Sequence, residues 1–270
     1  MIPTLVLSFT DYSIISATHG VGWDNYSQLI HDPKVSTGMR NTLIYTIAMV
    51  PSHIVFSLIL AMLLARVGRL AGVFRTIFYL PTLTPKVAVG ILYFFLFNGT
   101  YGLINKALGL IGITGPFWQT DPSWVKPGLV IMHLWSVGGS VGILRAALLG
   151  VPRHLYEAAS MDGAGWWRRF RDVTLPMISP AIFFLVIINT INGLQTFDEV
   201  YAAFFNQNSP YGTDASLFYN IYLFQQAFQF FHMGYAAALA WLLFLVIMVV
   251  TAVQVIGSRR FVYYEGEAKR

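Results

Sequence analysis

The sequence predicts an all-α fold, a polytopic integral membrane helical bundle, and three observations carry that prediction. The chain has 270 residues, of which 56% are apolar and 11% charged, where a soluble globular domain carries about 25% charged residues. Four runs, 42–65, 77–97, 128–149 and 234–256, reach the ~20 mostly apolar residues a helix needs to cross the hydrocarbon core. Cations also alternate between cation-rich and cation-poor links, as they do in a chain threaded repeatedly through a bilayer.

The spans follow in order. A fifth, 180–197, is shorter and carries polar residues at its centre. The opening stretch 1–9 is apolar but too short to span. It reads either as the outer half of a truncated first span, in a family fold of six, or as a short interfacial segment. The link after the second span holds Arg66, Arg69 and Arg75, the link 150–176 holds Arg153, Arg168, Arg169 and Arg171, and the tail holds Arg259, Arg260, Lys269 and Arg270. The intervening links 10–41 and 98–127 hold two cations each, and 198–233 none. The positive-inside rule therefore predicts a cytoplasmic link 150–176 and a cytoplasmic C-terminus. Segment 217–231 is aromatic and uncharged, which predicts an amphipathic helix lying at the outer interface. The chain reads as one membrane domain, 1–270.

Composition excludes several functions. Mean hydropathy is +0.61, and the net charge of +5 is spread along the span flanks rather than gathered in a patch, so nucleic acid is not the expected partner; the lipid bilayer is. There is no cysteine, hence no disulfide framework or thiol chemistry. The six histidines show no His-x-x-x-His pattern, so no metal, catalytic residue or cofactor is expected. No Gly-x-x-x-x-Gly-Lys-Ser/Thr loop is present to cradle nucleotide phosphates. An energy source, if the chain uses one, resides on another polypeptide.

The link 150–176 is the informative stretch. Arg153–Met161 is compatible with a helix, with Pro152 placed as a first-turn proline. Glu157, Ala158 and Ala159 offer a small, closely approachable surface. Gly163 and Gly165 are placed to stop the helix and allow a turn, and Trp166, Trp167 and Phe170 supply a bulky apolar face. Pro176 and Pro180 flank the start of the next span. A short helix of that kind suits insertion into a groove on a soluble partner.

These residues resemble the signature of binding-protein-dependent ABC importer permeases: Glu-Ala-Ala, three residues, Gly, nine residues, Ile, one residue, Leu-Pro. The chain matches at Glu157, Ala158, Ala159, Gly163, Leu175 and Pro176, with Val173 in place of Ile. Phe78-Tyr-Leu-Pro81, Leu155-Tyr-Glu157 and Gln226-Ala-Phe-Gln-Phe230 are similar to the sugar-importer branch, which includes the maltose and glycerol-3-phosphate permease subunits. The resemblance implies a permease without enzymatic activity of its own, in a bacterial or archaeal plasma membrane. It implies a second permease subunit, two ATPase subunits and an extracytoplasmic solute-binding protein as partners. A sugar or sugar-like solute would cross by alternating access, with a polyol phosphate as the alternative cargo. Glu157, Ala158, Ala159, Asp162, Gly163 and Gly165 would couple to the ATPase.

Polar residues at membrane depth usually face a cavity or a neighbouring helix. Asn189, Asn192, Gln195 and Thr196 recur at spacings of three and four in the fifth span, suited to sugar hydroxyls or to helix–helix bonding. Resemblance to the maltose permease subunit places Asn192, Gln195, Thr82 and Lys86 on the pathway side. Pro81 and Pro85 predict a kinked or broken third span. His133 and Trp135 in the fourth span suit a pyranose, or equally a buried histidine and an interfacial tryptophan. His53 reads as structural. Asp198-Glu199 reads as a solvated helix end.

Overall fold

The computed structural model describes residues 2–13, 18–67, 71–205, 212–258 and 262. Every extended element among them is helical: α1 (Ile2–Leu7), α2 (Asp24–His31), α3 (Pro33–Arg66), α4 (Ala71–Tyr79), α5 (Lys86–Leu96), α6 (Leu103–Leu110), α7 (Pro122–His133), α8 (Gly138–Gly150), α9 (Arg153–Met161), α10 (Trp166–Arg169), α11 (Leu175–Leu194), α12 (Asp198–Val200), α13 (Tyr219–Phe224) and α14 (Met233–Ser258). A π-helical turn, Phe170–Thr174, joins α10 to α11. Three helices, Pro33–Arg66, Trp166–Leu194 and Met233–Ser258, are each long and apolar enough to cross a membrane, and two broken helix pairs bring the number to five. The predicted third span is one of those pairs: α4 runs into a 3-10 turn, Leu80–Leu83, and α5 starts only after Thr84 and Pro85, both extended. The two prolines remove two backbone donors, and Pro85 holds Thr84 before it in the extended region. The fourth span also breaks, at Leu134–Ser136 between α7 and α8. No proline lies at that point to mark the break.

Four hydroxyls within the spans are satisfied by their own helix. Thr42 donates to Gly38 O at 2.8 Å, Thr46 to Thr42 O at 2.7 Å, Ser52 to Ala48 O at 2.7 Å and Thr190 to Val186 O at 2.7 Å. Each is the i−4 bond that lets a Ser or Thr sit in an apolar helix without an orphan polar group.

The chain divides into two compact units. The first comprises Met1–Ile47, Pro85–Met132 and Asn192–Val250, the second Ala48–Thr84, His133–Ile191 and Thr251–Arg270. The division sorts the links by charge. All three cation-poor links fall in the first unit, and the two arginine-rich links and the tail fall in the second.

The first unit is held by bonds between distant parts of the chain. Asp32 caps α3 by accepting from the Lys34 amide at 2.9 Å, with Pro33 at the first helical position. The same carboxylate accepts from Tyr222 and, at 2.9 Å, from Tyr235. Burial pushes its pKa up, but the Tyr222 and Tyr235 hydroxyls and the Lys34 and Val35 amides outweigh that and hold it below the usual carboxylate range. Asn41 donates to the Asp214 and Leu217 carbonyls at 2.6 and 2.9 Å, and the Tyr219 amide donates to Thr42 Oγ1 at 3.0 Å. These contacts correct the prediction for 217–231. Phe218, Tyr219 and Ile221 are fully buried, and only Phe228, Phe230 and Phe231 of its aromatic residues are exposed. The polar partners that draw the segment inward lie some 180 residues earlier, where an amphipathicity pattern cannot register them.

Helix α5 packs on α12 and on the π-helical turn Tyr201–Phe205. The approach passes over Gly90: a Cβ there would lie 2.4 Å from Glu199 O and 2.7 Å from the Ala202 Cβ. Glu199 is therefore buried, 6% exposed, and not the solvated helix end expected, whereas Asp198 is exposed. Two helices meeting backbone to side chain leave no room to relax. Gly90→Leu is expected to lower the melting temperature of the detergent-solubilised protein measurably, by an overpacking penalty of about 1–3 kcal/mol, while Gly109→Leu, on an open surface, leaves it unchanged. Equal melting of the two variants would contradict the packing described.

Candidate functional site

Helix α9 occupies the predicted residues, Arg153–Met161. Pro152 stands one position earlier than expected, at the N-cap, extended at φ −61° and ψ 132°. The C-terminus of α9 closes on Gly163. The Gly163 amide donates to Ser160 O at 3.0 Å and the Ala164 amide to Ala159 O at 2.9 Å, the paired bonds of a Schellman motif. Gly163 has φ +72°, in the left-handed region where a Cβ costs roughly 1–2 kcal/mol. Nothing lies within 4 Å of where that Cβ would sit, so the constraint is conformational and not steric. Gly165 differs: its φ is −66° and its ψ 172°, extended backbone open to other residues. It starts α10 rather than stopping α9, so the turn rests on Gly163 alone.

The two faces of α9 differ. Tyr156 and Ser160, four residues apart and so on one face, hold the helix to the following segment. The Tyr156 hydroxyl lies 3.0 Å from Thr174 Oγ1, and Arg169 Nη1 donates to Ser160 Oγ at 3.2 Å. Glu157, Ala158, Met161 and Asp162 are exposed, Met161 at 90%, and Ala159 is half-buried. An exposed apolar Met, a carboxylate and a small alanine are thus presented on a clamped helix. The sequence reading missed the clasp. Its one trace is the four-residue spacing of Tyr156 and Ser160.

Beyond the clasp, Trp166, Trp167 and Phe170 group their rings at 5.7–6.0 Å. The π turn ends with the Leu175 amide on Phe170 O, one residue before Pro176. A wider turn at that place absorbs the donor that proline lacks. The fifth span consequently starts well before residue 180 and ends at Leu194.

The predicted pathway residues separate by burial. Asn192 and Gln195 are exposed on the chain, whereas Asn189 is 6% exposed and donates to Leu185 O at 2.8 Å, and Thr196 is 3% exposed. Asn189 lies within α11, whereas Gln195 lies just past its end at Leu194, so the predicted residues divide into a buried and an exposed pair. Lys86 is exposed at the first residue of α5, and Thr82 is exposed in the 3-10 turn, with Ser136 O at 3.5 Å. Burial raises the pKa of Glu199, beyond the end of α11, against the opposing pull of Lys86.

In the second unit, His133 is half-buried with its ring 5.1 Å from that of His53. His53 is 4% exposed and shares a 2.8 Å hydrogen bond with Ser140 Oγ, a structural placement. Trp135 lies in the helix break, 48% exposed. Among the described residues no group of three or more His, Asp or Glu side chains is arranged to hold a metal.

The comparisons with known proteins agree with this architecture. A solved bacterial ABC transporter involved in the import of the acidic polysaccharide alginate contains a chain of the same fold, with a TM-score of 0.81 at 23% identity, covering 97% of this chain and 90% of that one. The lactose transport system permease protein LacF of Rhizobium radiobacter is 35% identical over 262 residues, 95% of this chain and 86% of its own. The sn-glycerol-3-phosphate transport system permease protein UgpA of Pectobacterium atrosepticum is 32% identical over 247 residues, 91% of this chain and 82% of its own. The family model described as the binding-protein-dependent transport system inner membrane component matches residues 53–263, more than half of the chain. The chain belongs to that family, as a multi-pass membrane permease subunit of the ABC importer type.

Proposed function

We propose that this chain forms part of the translocation pathway for a sugar or sugar-like solute, driven by separate ATPase subunits through α9. The observation that carries the reading is the clamped α9, with Glu157, Ala158 and Met161 exposed on its free face and its end fixed by the left-handed Gly163. A short rigid helix transmits displacement where a mobile loop would dissipate it, and two discrete arrangements of a packed body suit alternating access. In this reading α9 docks in a cleft of an ATPase subunit. A second permease subunit completes the pathway, and an extracytoplasmic binding protein delivers the solute. The carbohydrate class is supported by the relatives named for lactose and sn-glycerol-3-phosphate transport. The exposed Lys86 favours a second cargo, a polyol phosphate, which the same transport assay distinguishes.

The charge asymmetry of the links supports a cytoplasmic α9 and C-terminus. The chain lacks cysteine, so introduced cysteines report cleanly in this subunit. Gly72→Cys and Gly165→Cys, both at exposed positions, are expected to label from the cytoplasmic side, and Thr100→Cys and Gly109→Cys from the outside. Labelling of Gly165→Cys from outside alone would overturn the coupling role of α9.

Gly163→Val is expected to lower solute uptake at least tenfold relative to ATP hydrolysis in reconstituted complexes, with Gly163→Ala intermediate and Glu157→Lys weaker than Gly163→Val. Co-purification of the ATPase checks assembly. Wild-type uptake by an assembled Gly163→Val complex would contradict the assignment.

Asn192 and Gln195 present amides that both donate and accept, as sugar hydroxyls require. Asn192→Leu and Gln195→Leu are expected to raise the solute concentration for half-maximal uptake severalfold while ATP hydrolysis falls less, and Asn189→Leu to act on thermal stability instead. Uptake kinetics unchanged in both surface variants would remove them from the pathway.

A further inference from the structure

The second unit carries two adjoining cavities that the transport reading does not use. One is a groove of about 460 Å³ between α3 and the α10 segment. Ile59, Met62 and Leu63 line one side, and Trp166, Trp167 and Phe170 the other. Among the described residues, Arg66 is the only charged one on its wall. The other cavity, about 390 Å³, shares Arg66, Met62, Trp166 and Phe170 with the first and adds Arg169, Tyr156 and Thr174. Two guanidinium groups and two hydroxyls thus line one cavity, and among the described residues no carboxylate lines it.

The cations of this region are not equivalent. Arg168 and Arg171 are engaged by Asp172, at 3.6 and 2.7 Å. Arg169 donates to the neutral Ser160 hydroxyl, and Arg66 forms no ion pair among the described residues. Among the described residues, two positive charges therefore face a shared space without a counter-ion, beside a groove that is otherwise apolar.

The groove has a length. It follows α3 from Val55 to Arg66, eleven steps, about 16 Å at the helical rise. One leaflet of a hydrocarbon core about 30 Å thick is about 15 Å deep. Arg66 is at the C-terminal end of the span, where an interfacial charge belongs, and two tryptophans stand beside it as in an aromatic belt.

We infer that these two cavities form a binding site for one anionic phospholipid, with an acyl chain in the groove and the phosphate between Arg66 and Arg169. Guanidinium groups recognise phosphate through charge-assisted hydrogen bonds. A neutral lipid would offer the same chain without a net charge to balance the two arginines. The second cavity includes Tyr156 and Thr174, the two ends of the α9 clasp. A bound headgroup would thus brace the clasp from behind, which makes the lipid a modulator of the helix.

Native mass spectrometry tests this on the assembled, delipidated complex. Titration with phosphatidylglycerol is compared with phosphatidylcholine of identical chains. Wild type is expected to bind phosphatidylglycerol about tenfold more tightly. Arg66→Gln should abolish that preference, since a hydrogen bond to a charged group is worth about 1.5–3 kcal/mol, at least tenfold in affinity. Arg66→Lys should restore most of it, and Leu63→Trp, which fills the groove, should weaken both lipids. Equal binding of the two lipids by wild type would overturn the proposal, as would an unchanged preference in Arg66→Gln. Displacement by inorganic phosphate at the lipid's own concentration would overturn the acyl-chain half of the site. If Arg66→Gln fails to assemble, Arg66→Lys and Leu63→Trp decide: loss of preference in the first, or undiminished binding in the second, counts against the site.

Discussion

Hydrocarbon offers a backbone no hydrogen bonds, and every structural choice in this chain answers to that constraint. Helices satisfy it within a segment, and the described structure is built from little else. The interesting places are those where a helix stops. Pro81 and Pro85 break one span, the turn Leu134–Ser136 breaks another, and the π turn Phe170–Thr174 spreads the ladder just before Pro176. Each interruption lies beside polar side chains of interest: Thr82 and Lys86 at the first, His133 and Trp135 at the second, and Thr174 with Arg169 at the third. Irregular backbone is tolerated at membrane depth where protein or a water-filled cavity accommodates it, so a break and a polar cluster mark the same kind of location.

The α9 segment solves a different problem, how to make a helix of nine residues rigid. A helix that short has little stability of its own in water. Here the Schellman turn fixes one end, and the Tyr156–Thr174 and Ser160–Arg169 contacts fix one face. Hydrogen bonds of this kind are worth about 0.5–1.5 kcal/mol each, too little to hold a domain but enough to keep one turn of helix in register. What remains exposed is the surface that the Glu-Ala-Ala pattern supplies.

Much of this was legible in the sequence. The spans were readable because hydropathy is local and additive, and the break in the third because proline acts on its neighbours. The bounds of α9 followed from Pro152 and Gly163. What escaped was long-range. The burial of 217–231 depends on Asn41 and Thr42, and the burial of Glu199 on the close approach at Gly90. Gly165 shows the converse error, since adjacency to a turn was taken for a conformational demand that its extended backbone does not make.

The central claim is that the free face of α9 meets an ATPase subunit, and site-specific cross-linking tests it most directly. Met161 on that face is 90% exposed, and the chain has no cysteine of its own. A Met161→Cys complex, scanned against single cysteines around the cleft of the ATPase subunit, should form an intersubunit disulfide whose yield changes when ATP is bound. A complex that transports normally yet yields no ATPase-linked product at any scanned position, while a cysteine at Thr100 cross-links to the ATPase instead, would contradict the account.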